Sequence, residues 1–266
     1  MEQIDRTTMD NTITIPRVIH YCWFGGRPLP PSARRCIASW RKYMPGYDIV
    51  EWNERNFDVN AIPFTAEAYA ARKYAFVSDY ARFKILYEQG GVYFDTDVEL
   101  VAPMDDIISR GAFLGCEKPA DSVEFHVSGV APGLGMGAYK GMKLYRMMLD
   151  MYSTLSFTNP DGSQNCRTVG EHTTSMLNGL GLEATETIQK VGGCYIYPRE
   201  YFNPKDYETG RITLTPVTRS IHHYAASWIS ARARYGNIVN RLLIRIIGIN
   251  LSRRLVNFYY RHLYRK

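Results

Sequence analysis

The sequence predicts an α/β domain on an open, largely parallel sheet, and three observations carry that prediction. From residue 15 onward, strand-like apolar runs alternate with segments of helical periodicity. Glycine pairs punctuate the joins, at Gly25-Gly26 and Gly90-Gly91. An acidic D-x-D, Asp95 and Asp97, ends an apolar segment, where open α/β sheets place their ligands.

The first element is the run IPRVIHYCW over 15–23, apolar and β-branched, ending in Gly25-Gly26 and the loop RPLPP. It reads as an N-terminal parallel-type strand. Ser32 is a candidate cap for a helix over 33–43, and YDIVEW over 47–52 alternates as a second strand. A helical pattern covers 66–74. Ser78-Asp79 opens a further helix through DYARFKILYEQ, closed by Gly90-Gly91, and the strand VYFDTDVEL follows at once. Beyond it, 111–117 suits a strand, and 139–152 and 168–180 suit helices. The stretch YIYPREYFNP is dense in aromatics and prolines. Without a repeat or low-complexity linker, the expected division is one domain over 1–230 and a tail over 231–266.

Composition narrows the function classes. A chain of 266 residues that is 45% apolar can bury a sizeable core. The five cysteines stand far apart with no CxxC pair, so they are expected to be reduced thiols in a cytosolic protein. The N-terminus, polar and carrying acids, lacks the form of a secretory signal, and no run of about 18 apolar residues suggests a membrane span. The net charge of +6 belongs to the tail. Residues 231–266 hold nine Lys or Arg and no acid, so without them the net charge is −3. A nucleic-acid partner is not expected, because no recognised binding module surrounds that charge.

With 13 aspartates in the chain, an isolated D-x-D carries little weight, and context must supply the rest. In a continuous strand Tyr93, Asp95 and Asp97 share one face, with the carboxylates roughly 7 Å apart. Left unpaired at the end of an apolar strand they would repel, which points to a hard divalent cation. Such an ion usually completes its shell with substrate phosphates, hence a nucleotide diphosphate. The plain alternative is a solvated acidic strand end or an Arg-paired surface. Asp79 and Arg82, spaced i, i+3 near a helix N-terminus, suit either an intrahelical ion pair or recognition of adjacent sugar hydroxyls. In IHHYAASW, two histidines, Ser227 and the Trp228 indole could complete a metal shell and bind phosphate, or could be core packing.

Taken together, IPRVIHYCWFGG, SDYARFKILYEQGGVYFDTDVEL and HHYAASW resemble the DXD-containing sugar transferases of glycosyltransferase family 32. That family includes bacterial capsule and surface-polysaccharide enzymes and is akin to the catalytic domains of large clostridial glucosylating toxins. The resemblance covers the first hundred residues well and 101–220 poorly. It implies a GT-A type, Rossmann-like sandwich around a central mostly parallel sheet. It also implies retaining transfer of a hexose from a nucleotide diphosphate sugar, taken as UDP-linked, to a saccharide or lipid-linked acceptor. Residue by residue, Trp23 is implied to stack on the base, Ser78 to contact the donor, and Asp79 with Arg82 to hold sugar hydroxyls. Tyr93 flanks the diphosphate and Asp95 reaches ribose, sugar and, through water, the cation. Asp97 is implied to be the direct ligand of Mn2+ or Mg2+, with His222 or His223 and Ser227 near it and the Trp228 indole on a phosphate oxygen.

Two rivals are a catalytically weak donor-binding or scaffold protein of the same fold and a D-x-D phosphatase of the haloacid dehalogenase type. The run GLGMGA over 133–138 loosely fits a dinucleotide pattern, but a preceding proline favours a loop facing the acceptor. The tail spaces Val239, Leu242, Leu243, Ile246 and Ile249 as a basic amphipathic helix, read equally as packed on the domain or bound to an anionic membrane surface. The second reading puts the protein on the cytoplasmic face of a membrane.

Overall fold

The computed structural model describes residues 14–118, 129–206 and 209–225, with Gly236, Val239, Ile244, Ile246, Gly248 and Leu251 from the C-terminal segment. The chain opens with β1 (Val18–Cys22), α1 (Pro31–Tyr43), β2 (Asp48–Trp52), α2 (Pro63–Ala70) and α3 (Tyr74–Gln89). It continues through β3 (Gly91–Tyr93), β4 (Val98–Leu100), α4 (Asp105–Arg110), β5 (Phe113–Gly115), β6 (Met136–Ala138) and α5 (Lys143–Ser153). Then come α6 (Val169–Asn178), β7 (Gln189–Val191), β8 (Cys194–Tyr197), α7 (Arg199–Phe202) and β9 (Ser220–His222).

Seven strands form one sheet in the order β2-β1-β3-β6-β5-β8-β7. Strands β1, β2, β3, β5 and β8 share a direction, while β6 and β7 oppose it. The mostly parallel sheet of the expected GT-A type sandwich is therefore present. The period of two along each strand builds the two layers. Tyr93, Leu114 and Ile196 face the cluster formed with α2, α3 and α5, whereas Val92, Phe113 and Tyr197 face the cluster that contains Trp40 of α1.

Several expectations need correction. Helix α1 begins at Pro31 behind the cap residue Pro30, not at Ser32, because proline's fixed φ suits the first helical turn. Helix α2 starts earlier for the same reason, at Pro63, and stops at Ala70, where Arg72 turns the chain at φ 58°. Helix α3 then starts at Tyr74, a full turn before Ser78, so Asp79 stands in its second turn and Arg82 in its third. Gly90 does close it, at φ 70°. The GLGMGA run is not a loop throughout: its second half is β6, a central strand paired on both sides.

The correction that matters most concerns VYFDTDVEL. It is not one strand. β3 ends at Tyr93, residues 94–97 turn, and β4 leaves the main sheet to pair with β9 in a separate antiparallel ribbon. The alternation that put Tyr93, Asp95 and Asp97 on one face of a strand does not apply. A tertiary turn assembles them instead.

Candidate metal and sugar site

The turn lies at the carboxyl end of β3. It is closed by the Val98 N–H, which donates to the Asp95 carbonyl at 3.0 Å, and by the Asp95 N–H, which donates to the Gly133 carbonyl at 3.2 Å. On one side of the turn stands Arg82 of α3. Its Nη2 lies 2.9 Å from Asp79 Oδ1 and 3.3 Å from Asp95 Oδ1, while its Cζ stacks 4.9 Å above the Tyr93 ring. Its Nε donates to the Ser78 carbonyl at 3.1 Å. The Tyr93 hydroxyl donates to Asp95 Oδ1 at 3.0 Å. One buried guanidinium therefore serves two carboxylates and a ring, and none of its three arms is free to swing.

Burial works against the charge on Arg82, but Asp95 and Asp79 more than offset it and hold the group firmly protonated. Burial likewise pushes the Asp79 carboxyl up, with Arg82 opposing. A pair of this kind combines donors and acceptors in a fixed geometry.

On the other side of the turn stands Asp97. Its Oδ1 lies 3.1 Å from His222 Nε2 at the end of β9, and its Oδ2 accepts from the Ala225 N–H at 2.8 Å. The His223 N–H donates to the Asp97 carbonyl at 2.9 Å. Burial would raise the Asp97 carboxyl, yet His222 and the Ala225 N–H hold it down at about 2. His222 responds in the opposite sense: burial lowers it, Asp97 outweighs burial, and the imidazole is raised. His223 turns away, with Nε2 on Glu99 Oε2 at 2.7 Å. The two histidines alternate across the ribbon, and His222 is the one that faces the turn.

Asp95, Asp97 and His222 each offer a ligand atom, and these atoms all lie within 4.8 Å of one another. The residues fit a divalent cation. Bonds of about 2.2 Å place neighbouring ligands of an octahedral ion roughly 3.1 Å apart and opposite ones about 4.4 Å apart. The donor set of two carboxylates and an imidazole suits Mn2+, and Mg2+ through the carboxylates. Among the described residues His222 Nδ1 is buried without a hydrogen-bond partner.

The remaining expected residues are less directly placed. Ser78 lies half-buried in α3, and its hydroxyl donates to the Tyr74 carbonyl at 3.2 Å. Trp23 is half-buried just past β1, with its indole N–H donating to the Arg27 carbonyl. Ser227 and Trp228 lie outside the described residues, so their expected contacts with cation and phosphate have no structural counterpart here.

Two contributors escaped sequence reading. The Ala225 N–H is a backbone group, which no side-chain motif reports. Gly133 packs so closely that a Cβ there would overlap Asp95 Oδ2 and lie 3.3 Å from Arg82 Nη1. The signal available was the glycine-rich run itself, whose glycines permit close backbone approach.

Known proteins resemble this chain in part of its sequence. Residues 30–114 match the family described as glycosyltransferase sugar-binding region containing DXD motif. The chain is 26% identical over 199 residues to an uncharacterized glycosyltransferase of Acanthamoeba polyphaga mimivirus, covering 72% of this chain and 76% of that one. It is 31% identical over 111 residues to inositol phosphoceramide mannosyltransferase 1 of Schizosaccharomyces pombe, covering 38% of this chain and a third (33%) of that protein. Among solved structures, the PaToxG glycosyltransferase superposes with a TM-score of 0.44 at 18% identity, over 62% of this chain and 69% of its own. A glycosyltransferase involved in the glycosylation of the major capsid of PBCV-1 gives 0.44 at 12%, over 82% and 97%. At such scores the structural likenesses decide nothing. The sequence matches support sugar transfer as the class of reaction.

Proposed function

We propose that the chain is a metal-dependent, retaining hexosyltransferase of the family 32 type. It would move a sugar from a UDP-linked donor to a saccharide acceptor in capsular or surface-polysaccharide synthesis, with 1–230 as the catalytic unit. The observation that carries this reading is the adjacency of the Asp95/Asp97/His222 donor set and the Asp79–Arg82 pair, joined through Asp95. One half suits a cation and diphosphate, and the other suits the hydroxyls of the sugar attached to them.

Each residue then has a task. Asp97 and His222, with Asp95 behind them, would hold Mn2+ or Mg2+; the ion, when bound, offsets the charge that develops on the departing diphosphate. Arg82 and Asp79 orient the sugar, and Arg82 fixes Asp95 at the same time. Trp23 stacks on the base and Ser78 contacts the nucleotide. Ser227 completes the cation's surroundings, and the Trp228 indole donates to a phosphate oxygen. In retention without a protein nucleophile, the acceptor hydroxyl attacks from the leaving-group face and passes its proton to the departing phosphate. No general base on the protein is required.

Metal-dependent hydrolysis of a panel of UDP-sugars tests the reading and selects the donor. Asp97→Ala should lower turnover at least about a hundredfold, the scale on which loss of one transition-state stabilising group is felt, while circular dichroism and Tm stay near wild type. Substantial residual metal-dependent turnover in a folded Asp97→Ala protein would sink the assignment.

A further inference from the structure

The chain just past β9 holds a strained residue. Tyr224 has φ 54°, in the left-handed region that non-glycine side chains occupy only when their surroundings enforce it. Its side chain is held at the ring and at the hydroxyl, which also hydrogen-bonds the Glu117 side chain. The Tyr224 hydroxyl accepts a hydrogen bond from Asn203 Nδ2. The Tyr224 ring packs on the His222 imidazole, with centroids 4.5 Å apart and planes at 60°.

Asn203 is itself immobile. It is fully buried, its Nδ2 also donates to the Glu117 carbonyl at 3.0 Å, and its backbone carbonyl accepts from Arg199 Nε at 3.0 Å. Lys205 Nζ donates to the His223 carbonyl at 2.8 Å from the same segment. The strained turn is thus tied to chain that follows β5, a strand of the main sheet, and to chain that follows the helix α7.

The consequence falls on Asp97. A left-handed residue reverses the direction of the next peptide, and here the next N–H is that of Ala225, which meets Asp97 Oδ2 at 2.8 Å. The preceding N–H, of His223, meets the Asp97 carbonyl at 2.9 Å. With Oδ1 toward His222, the carboxylate is gripped from both sides.

We propose that Tyr224 is a positioning residue: its left-handed backbone, tethered by Asn203, aims the Ala225 N–H at Asp97 while its ring fixes the His222 imidazole for a cation. This rests on the reading of Asp95, Asp97 and His222 as a cation site. Backbone strain at this point is stability given up for the geometry of the donor set.

That exchange makes a test which a purely structural role would fail. Mn2+ binding by the full chain in the presence of UDP is followed by electron paramagnetic resonance, beside Tm. Tyr224→Asn keeps a residue that tolerates a left-handed backbone but removes the ring. It should keep or raise Tm and weaken Mn2+ about tenfold, the scale of losses from outer-shell partners. Tyr224→Phe keeps the ring, loses the tether, and should weaken Mn2+ about threefold. Unchanged Mn2+ affinity in both variants overturns the inference. If Tyr224→Asn lowers Tm, Tyr224→Phe decides: weaker Mn2+ at wild-type Tm sustains the inference, and equal affinity overturns it. A wild-type chain that binds no Mn2+ refutes the cation site itself and this inference with it, whereas a binding wild type with equal variants refutes only the role of Tyr224.

Discussion

Gly133 sets how close backbone comes to the Asp95 carboxylate. Because a Cβ there would overlap Oδ2, Gly133→Ala must displace the carboxylate or shift the short 3-10 turn that carries it. We expect metal-dependent donor hydrolysis to fall at least about tenfold with Tm changed by only a few degrees. Gly179→Ala is the control, since its Cβ would meet nothing nearer than 3.4 Å at a helical φ of −62°. Comparable turnover in the two variants would dismiss steric control by Gly133. His20 makes a second prediction at this scale. Its Nε2 donates to the Gly90 carbonyl at 3.0 Å and its Nδ1 accepts from the Trp52 indole at 3.1 Å, so the neutral ring is fully used. Burial pushes it down to about 4, against a partial rise from the Gly90 bond. The folded state then binds fewer protons than the unfolded one between pH 6.5 and 4. Its contribution is complete above 6.5 and is lost as pH falls through that window. Urea denaturation should show wild type losing about 2 kcal/mol from this group between pH 7 and 5, with a shallower slope in His20→Gln. Equal slopes would contradict it.

At the scale of elements, the ribbon of β4 and β9 is what brings Asp97 and His222 together, and α1 anchors it. Trp40 is fully buried, and its indole donates to the Val98 carbonyl at 2.8 Å, one residue beyond Asp97. Trp40→Phe leaves that carbonyl without its donor and a gap where the larger ring was. Unfolding free energy should drop by about 2–3 kcal/mol, the sum of an orphaned buried acceptor and a modest cavity. A drop under about 0.5 kcal/mol in denaturant titration would mean that α1 does not hold the ribbon. The elements also show where sequence was informative. Asp79 and Arg82 are three residues apart on one helix, so their pairing at 2.9 Å is a local event that spacing alone anticipates. The break after Tyr93 is not local. Asp95-Thr96-Asp97 is turn-prone, but that does not say where β4 goes, and β4 leaves the sheet because β9, more than a hundred residues later, supplies its partner.

For the whole molecule, the open matter is what the basic C-terminal segment does. No helix among the described residues is long and apolar enough to cross a membrane. Ile244 is buried, but Val239, Ile246 and Leu251 are exposed, Ile246 by 78%. The two placements expected for this basic segment, packed on the domain or bound to an anionic lipid surface, differ in what they predict for vesicles, and the second is the one tested. Flotation with phosphatidylserine vesicles should carry the full chain upward, more weakly as salt rises, and should leave a chain truncated after residue 230 behind. Equal flotation of both would exclude the tail as the lipid-binding part. By itself the sequence determined the alternation of strand and helix, the glycine stops and the pairing of Asp79 with Arg82, since each depends on residues within one or two turns of chain. Tertiary structure alone decided that His222 rather than His223 faces Asp97, that Gly133 bounds Asp95, and that Tyr224 is strained. Those outcomes depend on which distant segments pair, and pairing follows the packing of the whole core rather than any local pattern.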